Sequence, residues 1–252
     1  MPLCFSILKI LKNTSGFKGT NLSKTKLIQV NGLFPKTKQV FEDISKLDCI
    51  KDYCMIGGTA LSIQIGHRLS EDLDFCIWKK SRHDNPEVNW PFIFNELSTL
   101  GEVQKNILDL HHCDFYVNGV KITFFCNNIK EPKNLQRIPI LNHIVVADLV
   151  SIGVMKIEVM QYRTTHRDYY DIYSLLQEGI SLNTMISRAR KYLRHNLKTR
   201  EIMSMLASGN NFKEDRKFSE LLPKYGVSIS DIEQFIIEKI KEMQTSPSNH
   251  TV

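Results

Sequence analysis

The spacing of apolar and polar residues changes character along the chain. From 13 to 33 ("NTSGFKGTNLSKTKLIQVNGL") polar residues and glycines prevail, so residues 1–33 read as a loose leader. A helix is predicted over about 36–47. "YCMIGG" at 53–58 reads as a short buried strand closing in a glycine turn, and Thr59 to Ile65 as a short helix stopped by Gly66. Strand-like runs follow in "DLDFCIW", "VQKNILD" and "HCDFYV". Asn118-Gly119 then separates "HCDFYV" from "VKITFFC", a strong hairpin signal. From Ala147 the pattern turns helical, over about 147–162, 166–178, 182–206 and 230–243, with Ser230 and Glu233 placed as a capping box for the last helix. The order predicts an α+β chain: a mixed α/β core over 34–147, then a helical region over 148–252 that completes the active site.

Composition narrows the class. With 252 residues and 42% hydrophobic content, the chain can bury a sizeable core as one large domain or two small ones. A net charge of +6 is compatible with a polyanionic partner. Six cysteines, at 4, 49, 54, 76, 113 and 126, form no C-x-x-C pair; this argues against a zinc ribbon and fits reduced, buried thiols in a cytoplasmic protein. The opening "MPLCFSILKILK" has a short apolar run broken by Lys9 and Lys12, unlike a signal peptide, and no stretch approaches the roughly 18 uncharged residues of a membrane span.

The candidate chemistry lies in "MIGGTALSIQIGHRLSEDLDF", Met55 to Phe75. Strand alternation puts Leu73, Phe75 and Ile77 on one face and Asp72 and Asp74 on the other. Two carboxylates that close repel unless a cation sits between them, and Mg²⁺ takes a few carboxylates while keeping positions for phosphate oxygens. Upstream, Gly57 and Gly58 let backbone approach a ligand, and the helix that follows offers free N–H groups to an anion. Together these devices suit a nucleoside triphosphate with bound magnesium.

Gly57-Gly58 followed by Asp72-x-Asp74 resembles the signature of the DNA polymerase β-like nucleotidyltransferases. "GGTALSIQIGHRLSEDLDF" is more closely similar to the first motif of the AbiEii/AbiGii toxin family, which includes the MenT-type toxins of type IV toxin–antitoxin systems. The resemblance continues through "NGVKITFF" and "DLVSIGVMKIEVMQYRTTHRDYYDIYSLL", and covers roughly residues 50–180. It implies a nucleotidyltransferase-like mixed sheet with flanking helices, Mg²⁺ on Asp72 and Asp74, and phosphates near Gly57, Gly58, Thr59 and Ser70. By the same resemblance, the acceptor is an RNA such as the 3′ end of tRNA, and the chain is a toxin held by a cognate antitoxin.

A second cluster is less determinate. Lys156 sits in the apolar run "LVSIGVMKIEVM", where it either snorkels to the surface or meets an acid or phosphate. Arg163, Arg167 and Asp171 share a face if the helix is unbroken; alternatively Thr165 and Asp168 form a capping box and restart it. Lys156 falls where the family has its motif lysine, and Arg167-Asp168 with Asp171 matches its "RDxxD". The resemblance implies that Lys156 contacts triphosphate and that one of these aspartates supports it or the metal, with Asp171 favoured as the functional acid. Arg68, beside His67, either holds a phosphate or stabilises its loop. One departure stands out: where many superfamily members carry a third metal carboxylate, "VKITFF" has Thr123. Either a single magnesium suffices, or another acid such as Asp114 helps, or activity is weak or lost.

"HHCD" at 111–114 has ligand-type residues, but neighbours on a strand point to opposite sides and cannot converge. Between 183 and 217 stand Arg188, Arg190, Lys191, Arg194, Lys198, Arg200, Lys213, Arg216 and Lys217, interleaved with Tyr192 and His195. This is either an RNA-contacting helix or a solvated face. Three functions therefore compete: nucleotide transfer to RNA, nucleotide transfer to a protein hydroxyl, and nucleoside triphosphate binding without transfer.

Overall fold

The computed structural model describes residues 32–81, 83–192 and 198–245. The leader up to residue 31, with Cys4, and Arg194 and His195 of the basic stretch lie outside them. Seven strands form one mixed sheet: β1 (Cys54–Ile56), β2 (Leu73–Lys79), β3 (Val103–Asp109), β4 (His112–Val117), β5 (Val120–Lys130), β6 (Arg137–Leu141) and β7 (Ile144–Ala147). Their order is β3-β4-β5-β2-β1-β7-β6. β2 lies at the centre, parallel to β5 and antiparallel to β1. One register row crosses four strands: Ile56, Asp74, Thr123 and Asp114 are successive partners.

This row explains the polarity of β2. Leu73 and Phe75 are buried as alternation predicts, but Cys76 and Trp78 are also buried and Ile77 only partly so. Past Asp74 the strand is covered on both faces, and only its first residues keep a polar side. The Asn-Gly hairpin forms as predicted, with φ of +50° at Asn118 and +79° at Gly119, the left-handed pair a tight two-residue turn needs.

The helices are α1 (Pro35–Ile44), α2 (Gly57–Ile65), α3 (Trp90–Leu97), α4 (Leu149–Val159), α5 (His166–Gln177), α6 (Leu182–Tyr192), α7 (Thr199–Leu206) and α8 (Ile229–Thr245). α2 ends at Gly66 with φ +60°, as its stop predicts. α4 packs on α2, α5 and α6, and α5 on α8, so the helical part shares one continuous core with the sheet.

Four expectations need correcting. The helical pattern assigned to 147–162 begins two residues late: Ala147 closes β7, and Asp148 caps α4 by accepting from the Ser151 N–H at 3.0 Å. The segment 182–206 is divided between α6 and α7. The box that starts α8 is Ser228 with Asp231, each accepting from the other's backbone N–H, while Glu233 instead accepts from Gly209 N at 2.8 Å. Chain entry to α1 is pinned, not loose: Leu33 is buried, Ser70 N donates to Gly32 O at 2.9 Å, and Phe34 N donates to Ser70 O at 3.3 Å.

Candidate active site

β1 ends at Ile56 and the chain turns at once into α2. Gly57 has φ +76°, and a Cβ there would lie 2.7 Å from Asp74 Oδ2. At Gly58 a Cβ would overlap an Arg68 guanidinium nitrogen. Both glycines therefore clear space for protein side chains of the site, a reason that sequence reading did not supply. The N-cap of α2, Ile56, offers no side-chain hydrogen bond, so the helix start retains donors for an anion.

Asp72 stands just ahead of β2 and Asp74 within it. Asp74 is half-buried, and burial together with the charge of Asp72 raises its carboxyl above the ordinary aspartate value; Asp72 is exposed, so the same upward push from nearby protein is weaker there. Thr59, buried in α2, shares a hydrogen bond with Ser70 Oγ (2.6 Å) and donates to the main-chain oxygen of Asp72. Thr59 and Ser70 thus brace the loop that carries Asp72.

Behind them lies a buried charge network. Lys156, 6% exposed, places Nζ 2.7 Å from Asp168 Oδ1 and 2.6 Å from Asp171 Oδ2. It does not snorkel. Burial alone would push its ammonium down, but the Asp171 and Asp168 carboxylates override that and hold it above the usual lysine value. Asp171 is fully buried; it also accepts from Arg68 at 2.8 and 3.1 Å and contacts His67 Nε2 at 2.7 Å. Burial would raise Asp171, yet Arg68, Lys156 and His67 keep it well below the carboxylate range. Burial keeps His67 below the usual histidine value despite Asp171. Because the Asp171 carboxylate only accepts, His67 donates to it through Nε2.

The Thr165–Asp168 box does restart the helix: Asp168 N donates to Thr165 Oγ1 at 3.2 Å and the Thr165 hydroxyl donates to Asp168 Oδ2 at 2.6 Å. The break leaves Arg163 outside α5, where it reaches Asp168 at 3.1 Å. Arg167 pairs with Asp215 at 2.7 Å and with Glu71 at 3.3 Å.

Gly58, Thr59, Arg68, Ser70, Asp72, Asp74, Lys156 and Arg167 come together around one cavity of about 480 Å³. Asp171 does not line it and acts from behind. One wall, Lys213 to Arg216, belongs to the basic stretch that the charge pattern alone assigns to an RNA-contacting helix or a solvated face. It is held there because Lys213 N donates to Thr164 O at 3.0 Å and His166 N to Lys213 O at 3.2 Å. No local signal could have placed it.

A second cavity of about 510 Å³ adjoins the first through Asp74, Lys156, Arg163 and Asp168, and includes Gly57, Lys121 and Thr123. Thr123 donates to Asp114 Oδ1 at 2.8 Å, and Lys121 lies 3.1 Å from Asp114 Oδ2. Burial would raise Asp114, but Thr123 and Lys121 bring it below the usual value. Among the described residues no group of three or more His, Cys, Asp or Glu is placed to hold a metal. The Asp72–Asp74 pair suits Mg²⁺ carried in with substrate oxygens, which needs only one or two protein carboxylates.

No family model matches the chain. An uncharacterised protein of Aquifex aeolicus (strain VF5) is 24% identical over 206 residues, 81% of this chain and 94% of its own length. In structure, the chain is similar to MenT4, a nucleotidyltransferase toxin of Mycobacterium tuberculosis H37Rv, with a TM-score of 0.54 at 13% identity, covering 84% of this chain and 83% of that one. The chain therefore has a nucleotidyltransferase-like fold: a seven-stranded mixed sheet with flanking helices. The Megavirus polyadenylate synthase aligns at a TM-score of 0.37, over 68% of this chain and 41% of that one, too low to weigh.

Proposed function

We propose that the chain transfers a nucleoside monophosphate from a nucleoside triphosphate to an acceptor hydroxyl. One observation carries this reading. Asp72 and Asp74, both with raised pKa, face a cavity whose other walls are the start of α2, the cations Arg68, Lys156, Arg163, Arg167, Lys213 and Arg216, and the acids Glu71, Asp168, Glu214 and Asp215, of which Glu71 and Asp215 pair with Arg167. Such a cavity suits a triphosphate and its counter-ion. Asp72 and Asp74 would hold Mg²⁺, which when bound offsets charge on the phosphates.

The chain's own groups then act by placement. The start of α2 receives phosphate oxygens, and Ser70 and Thr59 keep Asp72 in position. The acceptor oxygen bonds to the α-phosphorus, the bond from that phosphorus to the β-phosphate bridging oxygen breaks, the acceptor proton passes to water, and pyrophosphate departs beside Lys156 and Arg167. Asp171 holds Arg68 and Lys156 in place, and Asp168 anchors Lys156 to the start of α5.

The finer reading follows the AbiEii/AbiGii resemblance: an RNA acceptor such as the tRNA 3′ end, and a cytoplasmic toxin restrained by a cognate antitoxin. Five described cysteines are free and buried, as a reducing compartment allows, and no described helix is long and apolar enough to cross a membrane. The test is incubation with each labelled nucleoside triphosphate and Mg²⁺, separately with tRNA and with lysate protein. Label on tRNA that requires Mg²⁺ and Asp74 supports the reading; label on protein alone moves the acceptor, and binding without transfer reduces the chain to a nucleotide-binding protein.

A further inference from the structure

A third cavity, of about 450 Å³, lies between the segment after β5 and helices α4 and α6. The nucleotide site does not use it. Lys130, Lys133, Arg188 and Lys191 line it, and the acid there, Glu131, is paired with Arg137 at 3.0 Å. Arg188 has Asp148 at 3.9 Å, too far for a tight pair. Its floor is apolar, with Met155 and the ring of Tyr192. Tyr192 is fixed because Trp78 Nε1 donates to its hydroxyl at 2.8 Å. A basic rim over an aromatic floor is the arrangement that receives single-stranded nucleic acid: cations follow the backbone and a ring accepts a base.

Continuity with the catalytic groove decides for a strand over a free nucleotide. Met155 lines both this cavity and the one beside Asp74. Along β5, Thr123 faces the groove beside Asp74 and Lys130 the basic cavity. The seven residue steps from one to the other span roughly 23 Å at ~3.3 Å each, several times the ~3.4 Å that one stacked nucleotide advances. An occupant touching both is therefore an oligomer. We infer that this cavity binds the single-stranded RNA acceptor a few nucleotides back from its reacting end, with Lys130, Lys133, Arg188 and Lys191 on phosphates and Tyr192 against a base. The acceptor role rests on the transfer reading above, whereas strand binding does not.

The experiment compares the parent chain with a Lys130→Ala/Lys133→Ala/Lys191→Ala variant and with Tyr192→Leu. It measures affinity for a short single-stranded RNA across a salt series, with nucleoside triphosphate affinity and thermal melting as controls. The triple variant should lose about tenfold or more in RNA affinity, and its salt slope should flatten by about 2, from three phosphate contacts at ~0.7 each. Tyr192→Leu should weaken RNA while leaving the salt slope unchanged, and both should bind triphosphate as the parent does. Equal RNA affinity and slope in parent and triple variant would overturn the inference. So would a loss confined to an acidic peptide, or to a free mononucleotide, with RNA unaffected. If the parent transfers no nucleotide yet the variants show these RNA losses, the cavity assignment stands and the transfer reading falls.

Discussion

Replacing Lys156 by alanine would leave Asp168 and Asp171 without the cation they share, inside the protein. Removing one partner of an isolated buried pair costs about 3–5 kcal/mol, but here Asp171 keeps Arg68 and Asp168 keeps Arg163. Lys156→Ala should therefore lower stability in urea denaturation by less than that, besides losing activity; a parent-like midpoint would mean that Arg68 and Arg163 suffice for the two acids. The metal carboxylates should behave in the opposite way. Asp74→Asn removes a charge whose ionisation is disfavoured in the folded chain. Transfer should vanish while the melting temperature without Mg²⁺ holds or rises. The pH dependence has a definite sign. A carboxyl with a raised pKa keeps its proton in the folded state after the unfolded chain has lost it, so stability falls as pH rises from about 4 through the folded value. That fall, read from melting temperature against pH, should shrink in Asp74→Asn. Asp171 works the other way: its lowered pKa contributes stability that is present above about pH 4 and lost in stronger acid.

Among the elements, α2 shows what a motif hides. The glycine pair was legible as a signal, but its cause was not, because the crowding comes from Asp74 and Arg68, residues 17 and 10 positions away from Gly57 and Gly58. Gly57→Ala would require φ +76° in a residue with a Cβ, at a cost of about 1–2 kcal/mol, and would displace Asp74. Activity should fall far more than the melting temperature; equal, small effects on both would remove Gly57 from the site. The β6–β7 hairpin escaped notice for a related reason. Its turn uses Asn142 at φ +48° without a following glycine, and Pro139 interrupts the strand pattern, so neither usual sign was present. The break between α4 and α5 was legible, because Thr165 and Asp168 carry a recognisable cap. Thr165→Ala should cost about 1 kcal/mol, checked by urea denaturation.

Over the whole molecule, the sequence displayed the strand of acids and the glycine turn because each lies within one short segment. It did not display which acid faces the cavity, since Asp168 and Asp171 are separated only by how α5 turns against α4. Nor did it display the wall from Lys213 to Arg216, which arrives by pairing with the stretch from Thr164 to His166. That pairing has a consequence in time. The glycine turn leaves the ribosome early and the last wall of the same cavity late. At about 5–20 residues per second, synthesis from Gly57 to Arg216 takes on the order of ten seconds. Until its end a growing chain lacks the last wall, so the finished pocket is withheld from a nascent polypeptide by the order of its own translation.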